Sequence, residues 1–125
     1  MFNPNKNWVG FKKDDFDINI DLGENSDYQK ITIGFLQNQH NRSFLPTRIT
    51  FLKSDDSRRY DEFHTENIPT SQEDSTVKRV DITQEIPNYN NRYLRIIGKN
   101  ISNCPSWHKN AGQPAYIFVD EIILE

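Results

Sequence analysis

Apolar and polar residues alternate along several short segments of the chain, which is the pattern of β-strands that bury one face. The clearest segment is 16–22, where four apolar side chains alternate with Asp and Asn before Gly23 ends the run. Further strands are predicted at residues 30–36, 48–53, 60–65, 76–82, 93–97 and 116–124. No segment has the pattern of a helix of three turns. The chain is therefore predicted to be all-β.

Turn-forming residues separate the predicted strands. The cluster Ser54-Asp-Asp-Ser57 has short side chains that cap backbone amides, and it is predicted to join two neighbouring strands. Residues 99–114 show no strand pattern, and a loop of that length in a compact domain is usually functional or unusually well packed. Short strands between turn signals, without an internal repeat, predict an antiparallel β-sandwich or jelly roll.

Size and charge narrow the classes of function. The chain has 125 residues, which is the size of one domain. The chain has 15 basic and 18 acidic residues, and the basic ones are not gathered into a stripe that could follow phosphates. We therefore expect no nucleic-acid partner. The apolar runs are too short to cross a bilayer, so we expect no membrane insertion. The single cysteine, Cys104, excludes an internal disulfide and a zinc site that needs two thiolates.

Near its start the chain has a polar segment of Asn, Pro and Lys, residues 3–7, which differs in character from the strand-rich remainder. We expect residues 1–7 to be a leader or an artificially added segment, and residues 8–125 to form one β-sandwich domain. The chain is interpreted as a fragment of a longer protein.

The sequence contains none of the common catalytic motifs, such as a nucleophile elbow, a phosphate-binding glycine loop or a dinucleotide fingerprint. His40, His64 and His108 fall in or beside different predicted loops, without the paired spacing of a helical metal site. Asp120 and Glu121 are adjacent, and neighbouring side chains of an extended strand point to opposite faces. We therefore expect this domain to be non-catalytic.

The polar and aromatic residues of two loops supply the groups that recognise sugars. An aromatic ring covers the C–H face of a pyranose, and planar donors and acceptors bind its hydroxyls. Trp8 is expected to plug the core, whereas for Trp107 burial and exposure remain equal alternatives. The candidate ligand-binding residues are Trp107, His108, Arg42, Asn41 and Tyr116.

A structural calcium is a further expectation, based on Glu121. This carboxylate lies within the apolar run 117–123, where a charge is costly unless a partner or an ion meets it. Carboxylate, Asn side-chain and backbone oxygens are the ligands that calcium prefers.

An ordered set of short motifs, spread from about Trp8 to Leu124, resembles a known family. The family is the discoidin-like domain (coagulation factor 5/8 type C, galactose-binding-like) at the C-terminus of Bacteroidetes β-N-acetylhexosaminidases. The motifs are Trp8-Val-Gly-Phe11, Asp15, Ile20-Asp-Leu-Gly23, Gly34-Phe-Leu-Gln37, Phe44-Leu-Pro46, Ser54-Asp-Asp56, Arg92-Tyr-Leu-Arg95, Lys99-Asn100, Trp107-His108 and Phe118-Val-Asp-Glu-Ile122.

The resemblance implies a galactose-binding-like jelly roll whose loops at one end hold ligands. It also implies a parent glycoside hydrolase that is secreted, periplasmic or on the cell surface, and a glycan partner with terminal galactose or N-acetylhexosamine. By the same resemblance Glu121 binds a structural calcium beside the segment that contains Asn5 and Asn7.

Two functions follow from these expectations. The first is a non-catalytic carbohydrate-binding module that holds glycan near the catalytic domain of its parent chain. The second is a structural accessory domain that packs on that catalytic domain and binds no ligand of its own. The second function predicts an exposed apolar patch and a buried Trp107.

Overall fold

The computed structural model describes residues 8–24, 27–87 and 92–125. The described residues form eight strands and one short 3-10 helix, Gln39–Asn41. The strands are β1 (Val9–Lys12), β2 (Phe16–Asp21), β3 (Lys30–Gln37), β4 (Arg48–Ser54), β5 (Asp61–Asn67), β6 (Lys78–Glu85), β7 (Tyr93–Lys99) and β8 (Tyr116–Leu124). In this part of the chain no helix is long and apolar enough to span a membrane.

The strands form two four-stranded sheets, with the orders β1-β8-β3-β6 and β2-β7-β4-β5. Every neighbouring pair of strands is antiparallel. The apolar positions of the alternating segments meet in one core, where Ile31, Ile33 and Phe35 of β3 have no exposed surface. The predicted all-β antiparallel sandwich is therefore confirmed, and the finer jelly-roll and galactose-binding-like assignment stays a prediction.

Strand β1 is the element that the hydrophobic pattern did not predict. It has four residues, too few for a recognisable alternation, and Gly10 lies within it. Gly10 pairs with Phe118 of β8, and a Cβ at this position would lie 2.6 Å from the Phe118 ring. The glycine thus lets an aromatic ring lie close over the edge strand. Trp8, expected in the core, is only half-buried beside this strand.

A β-bulge interrupts the pairing of β8 with β3. Ile122 pairs with Ile33 but Val119 pairs with Phe35, so two residues of β8 lie opposite one residue of β3. The two bulged residues, Asp120 and Glu121, both reach the Arg79 guanidinium, at 2.7 Å and 3.5 Å. The expectation that these carboxylates point to opposite faces is therefore wrong, because it holds only for a regular strand.

The residue opposite the bulge is Gly34, and its lack of a side chain makes room for the ion pair. A Cβ at Gly34 would overlap the Asp120 carboxylate and lie 2.5 Å from the Arg79 Nη2 atom. The Asp120 side chain has no exposed surface, so its charge is met inside the protein rather than by bulk water. Arg79 also reaches Asp81 on its own strand, at 3.0 Å.

The turn after β4 confirms the predicted capping by short side chains. The Asp56 Oδ1 atom accepts hydrogen bonds from the backbone N–H groups of Arg58 and Arg59, at 2.9 Å and 3.0 Å. The Ser54 hydroxyl donates a third, at 3.0 Å. These three bonds favour the ionised form and lower the pKa of Asp56 to about 2.

Substituting Asp56 with Asn is expected to flatten the acid dependence of the free energy of unfolding. The pKa of Asp56 is lower in the folded state, so its contribution is full above the ordinary value of 3.8 and is lost as the pH falls towards 2. Urea unfolding between pH 5 and 2 measures this slope. Asp55→Asn, a neutral change at the adjacent exposed residue, is the matched control and should keep the wild-type slope. Equal slopes in the wild type and in Asp56→Asn would contradict the prediction.

Candidate functional site

Three loops meet at one end of the sandwich and line an open pocket of about 270 Å³. They are the 3-10 helix after β3, the 68–77 loop between β5 and β6, and the 100–115 loop between β7 and β8. The pocket is lined by Gln39, His40, Glu73, Asp74, Ser75, Trp107, His108 and Lys109. In this pocket the candidate residues Trp107 and His108 lie next to polar side chains of the other two loops.

The buried side chain of Gln39 joins the 3-10 helix to the 68–77 loop. Its Nε2 group donates to the Gln72 carbonyl at 3.0 Å, and its Oε1 atom accepts the Asp74 backbone N–H at 2.8 Å. A buried amide with both ends hydrogen-bonded fixes the segments that it connects. Gln39 therefore positions one wall of the pocket.

His108 fastens the 100–115 loop to the same helix. The ring is buried, and its Nδ1 atom accepts the Asn110 backbone N–H at 2.9 Å. The Nε2 atom therefore carries the proton of the neutral ring and donates to the Gln39 carbonyl at 2.5 Å. Both ring nitrogens are engaged within the protein, so His108 supports the pocket wall.

Trp107 presents part of its indole ring to the pocket. The side chain is 37% exposed, and its Nε1–H donates to the Ser71 carbonyl at 2.9 Å. The rest of the ring packs against Phe44, with centroids 6.2 Å apart. The indole is thus held in one orientation although about a third of its surface is exposed. Trp107 is therefore neither buried nor fully exposed but partly exposed.

The remaining lining side chains carry charges of both signs. The Lys109 ammonium group lies 2.9 Å from the His40 Nε2 atom, and both side chains are exposed. Glu73 and Asp74 line the same pocket. The backbone N–H of Thr76 is the main cause that lowers the pKa of Asp74, so this carboxylate stays ionised at neutral pH.

The other three candidate residues lie beside the pocket and do not line it. Asn41 is exposed at the end of the 3-10 helix. Arg42 follows it with a φ of 67°, and its guanidinium lies 5.6 Å from the centroid of the Tyr116 ring. The Tyr116 ring stacks in turn on Phe118, with centroids 5.5 Å apart. The structure therefore divides the predicted set into two groups.

Sequence reasoning missed the contribution of the 68–77 loop. Glu73, Asp74 and Ser75 lie in a polar stretch whose composition resembles that of any surface loop. Their position depends on the hydrogen bonds of Gln39, a residue 33 to 35 positions earlier in the chain. Of the missed lining residues, Lys109 was the one that the sequence could have indicated, because it directly follows Trp107 and His108.

Of the three residues predicted to bind calcium, only Glu121 lies among the described residues. The carboxylate of Glu121 already lies 3.5 Å from the Arg79 guanidinium, a competing cation. Asn5 and Asn7 lie outside the described residues. Within residues 8–24, 27–87 and 92–125, no group of three His, Cys, Asp or Glu side chains is arranged to hold a metal ion. The calcium stays a prediction.

Comparison with known proteins adds no family assignment. No protein-family model matches the chain, and no curated protein is significantly similar to it in sequence. The likeness to the discoidin-like domain thus rests on the ordered motifs of the sequence and stays a prediction.

Proposed function

We propose that this chain is a non-catalytic carbohydrate-binding module, and that the pocket beside Trp107 receives one terminal sugar of a glycan. The observation that carries the proposal is the indole of Trp107, which is partly exposed at a polar pocket and fixed by its own N–H bond. A rigid aromatic surface gains contact area with the C–H face of a sugar at little cost in conformational entropy.

The polar lining supports the proposal because it offers donors and acceptors of several kinds around the indole. Lys109 supplies an ammonium group, His40 a ring nitrogen and Glu73 a carboxylate. Sugar hydroxyls both donate and accept, so they match a lining of mixed character better than one of a single charge. The volume of about 270 Å³ lies near the lower limit of small-molecule sites, which fits one ring better than a long chain.

A role as an accessory module of a larger, secreted or cell-surface glycoside hydrolase completes the proposal, and it follows from the resemblance. A module of this kind holds the catalytic domain of the same chain near its glycan. Tethering raises the effective concentration of the substrate, so weak affinity for terminal galactose or N-acetylhexosamine is sufficient.

Substituting Trp107 with Ala is expected to weaken glycan binding about tenfold or more, because the stacking surface is lost. A glycan array with galactose and N-acetylhexosamine termini, with calcium and again with a chelator, identifies the ligand. Calorimetry with that ligand then gives the affinity of each variant. Tyr28→Ala is the matched control, since Tyr28 is an aromatic residue of similar exposure, 38%, that does not line the pocket.

Either of two results would contradict the sugar-binding proposal. One is equal affinity of the wild type and Trp107→Ala for the same ligand, with both proteins folded by circular dichroism. The other is an array without binding in both conditions, from folded wild-type protein. The second result would favour the structural accessory domain.

A further inference from the structure

A second concave surface lies on the outer face of the sheet β2-β7-β4-β5. It is a shallow basin of about 640 Å³. It is lined by Asn19, Ile20, Asp21, Ser57, Arg58, Tyr60, Tyr93 and Arg95. The one carboxylate of this lining, Asp21, is paired with Arg92 at 3.3 Å. The strand β7 begins at this basin and ends at the 100–115 loop, which lines the Trp107 pocket. The basin and the pocket are therefore at opposite ends of the sandwich.

The Arg95 guanidinium is held in place by a carboxylate of the neighbouring strand. Its Nε and Nη2 groups donate to the two oxygens of Asp17, at 3.0 Å and 2.7 Å. The hydrogen bond from Arg95 is the main cause that lowers the pKa of Asp17. A guanidinium has five N–H donors, so this two-point contact fixes the group and leaves other donors for a ligand.

Arg58 brings a second guanidinium to the basin. The turn after β4 fixes its backbone, because the Arg58 N–H donates to the Asp56 carboxylate at 2.9 Å. Among the described residues its side chain forms no hydrogen bond and no ion pair within 4 Å, although its charge helps to lower the pKa of Asp56. The donors of this guanidinium are thus available at the basin.

Two tyrosines complete the lining. Tyr60 and Tyr93 are both half-buried, and the Arg92 guanidinium covers the Tyr93 ring at 5.1 Å from its centroid. Half-buried tyrosines offer a rigid apolar ring together with a hydroxyl group. The basin therefore combines ring surfaces with planar cationic donors.

We propose that the basin binds an acidic sugar, meaning a sugar ring that carries a carboxylate, as a second carbohydrate site. A carboxylate is planar and accepts two parallel N–H bonds from a guanidinium, which Arg58 offers and Arg95 supplements. The C–H face of the same ring contacts the tyrosines. This site does not depend on the Trp107 pocket, because the two surfaces share no residue.

The test compares two oligosaccharides that differ only in the acid group, oligogalacturonate and its methyl ester. Calorimetry of the wild type should show binding of the acid, with the ester about tenfold weaker or more, because the ester lacks the charge that strengthens the bonds to arginine. Arg58→Gln should weaken binding of the acid by a similar factor. Trp107→Ala should leave it unchanged, which separates this site from the proposed pocket.

Arg59→Gln is the matched control. Arg59 follows Arg58 in the same turn, donates its N–H to the same Asp56 oxygen and carries the same charge, but it does not line the basin. Its substitution should change the affinity less than about twofold, the size of a remote surface charge effect. Equal losses in both arginine variants would overturn the proposal, and so would equal binding of acid and ester or binding of a sulfated glycan alone.

Discussion

Arg79→Met is expected to lower the free energy of unfolding by about 3–5 kcal/mol, the usual effect of removing one partner from a buried ion pair. The Asp120 side chain has no exposed surface and lies 2.7 Å from the Arg79 Nε atom. Without the guanidinium, the carboxylate keeps its desolvation cost but loses the charge that offsets it. Urea unfolding at pH 7 measures the difference in free energy.

Two further variants make this test specific. Arg92→Met removes an exposed arginine from a surface ion pair with Asp21, so it should cost much less than Arg79→Met. The double variant Arg79→Met/Asp120→Leu should recover most of the loss, because well-packed apolar residues replace a buried pair at little cost. Equal effects of Arg79→Met and Arg92→Met would show that the bulge does not depend on its ion pair.

Asn100→Ala is expected to cost about 3 kcal/mol of unfolding free energy, because it removes three part-buried hydrogen bonds to the backbone, each worth about 1 kcal/mol. The Asn100 Nδ2 group donates to the carbonyls of Phe11 and Asp14, at 3.0 Å and 2.9 Å. Its Oδ1 atom accepts the Ser102 N–H at 2.8 Å. This one buried side chain thus connects β1 and the turn that follows it to the start of the 100–115 loop.

Urea unfolding again gives the measurement, with a lower midpoint at an unchanged slope as the expected result. Asn103→Ala is the matched control, since Asn103 is an exposed residue three positions along the same loop. It should change the stability by less than about 0.5 kcal/mol, as surface substitutions usually do. A loss below about 1 kcal/mol for Asn100→Ala would mean that water replaces the lost hydrogen bonds.

The fold was largely predictable because each long strand buries one face against the same core. The strand predicted at residues 116–124 is confirmed with the same bounds, and the one predicted at 16–22 ends one residue earlier. The strand predicted at 76–82 instead runs from Lys78 to Glu85. The prediction missed these bounds because both ends of the strand are polar and show no apolar alternation. Strand β1 and the bulge in β8 depend on pairing with distant strands, which local alternation does not report.

The pocket was less predictable than the fold. Trp107 and His108 were identified by residue type within a long loop, and both line it. Arg42 and Tyr116 are suitable for the same chemistry, but they stack on each other outside it. Residue type indicates what a side chain is able to bind, whereas the meeting of loops depends on long-range contacts such as those of Gln39.

Gly34 also fixes the pairing register of β8 with β3. It is the sole glycine of β3, and it lies opposite the two bulged residues of β8. If β8 slipped by two positions along β3, the Asp120 carboxylate would lie opposite Thr32 or Leu36, where a side chain would fill its space. The apolar alternation of both strands would tolerate such a slip, but the ion pair would not. One missing side chain therefore selects a single pairing among several that the hydrophobic core alone would accept.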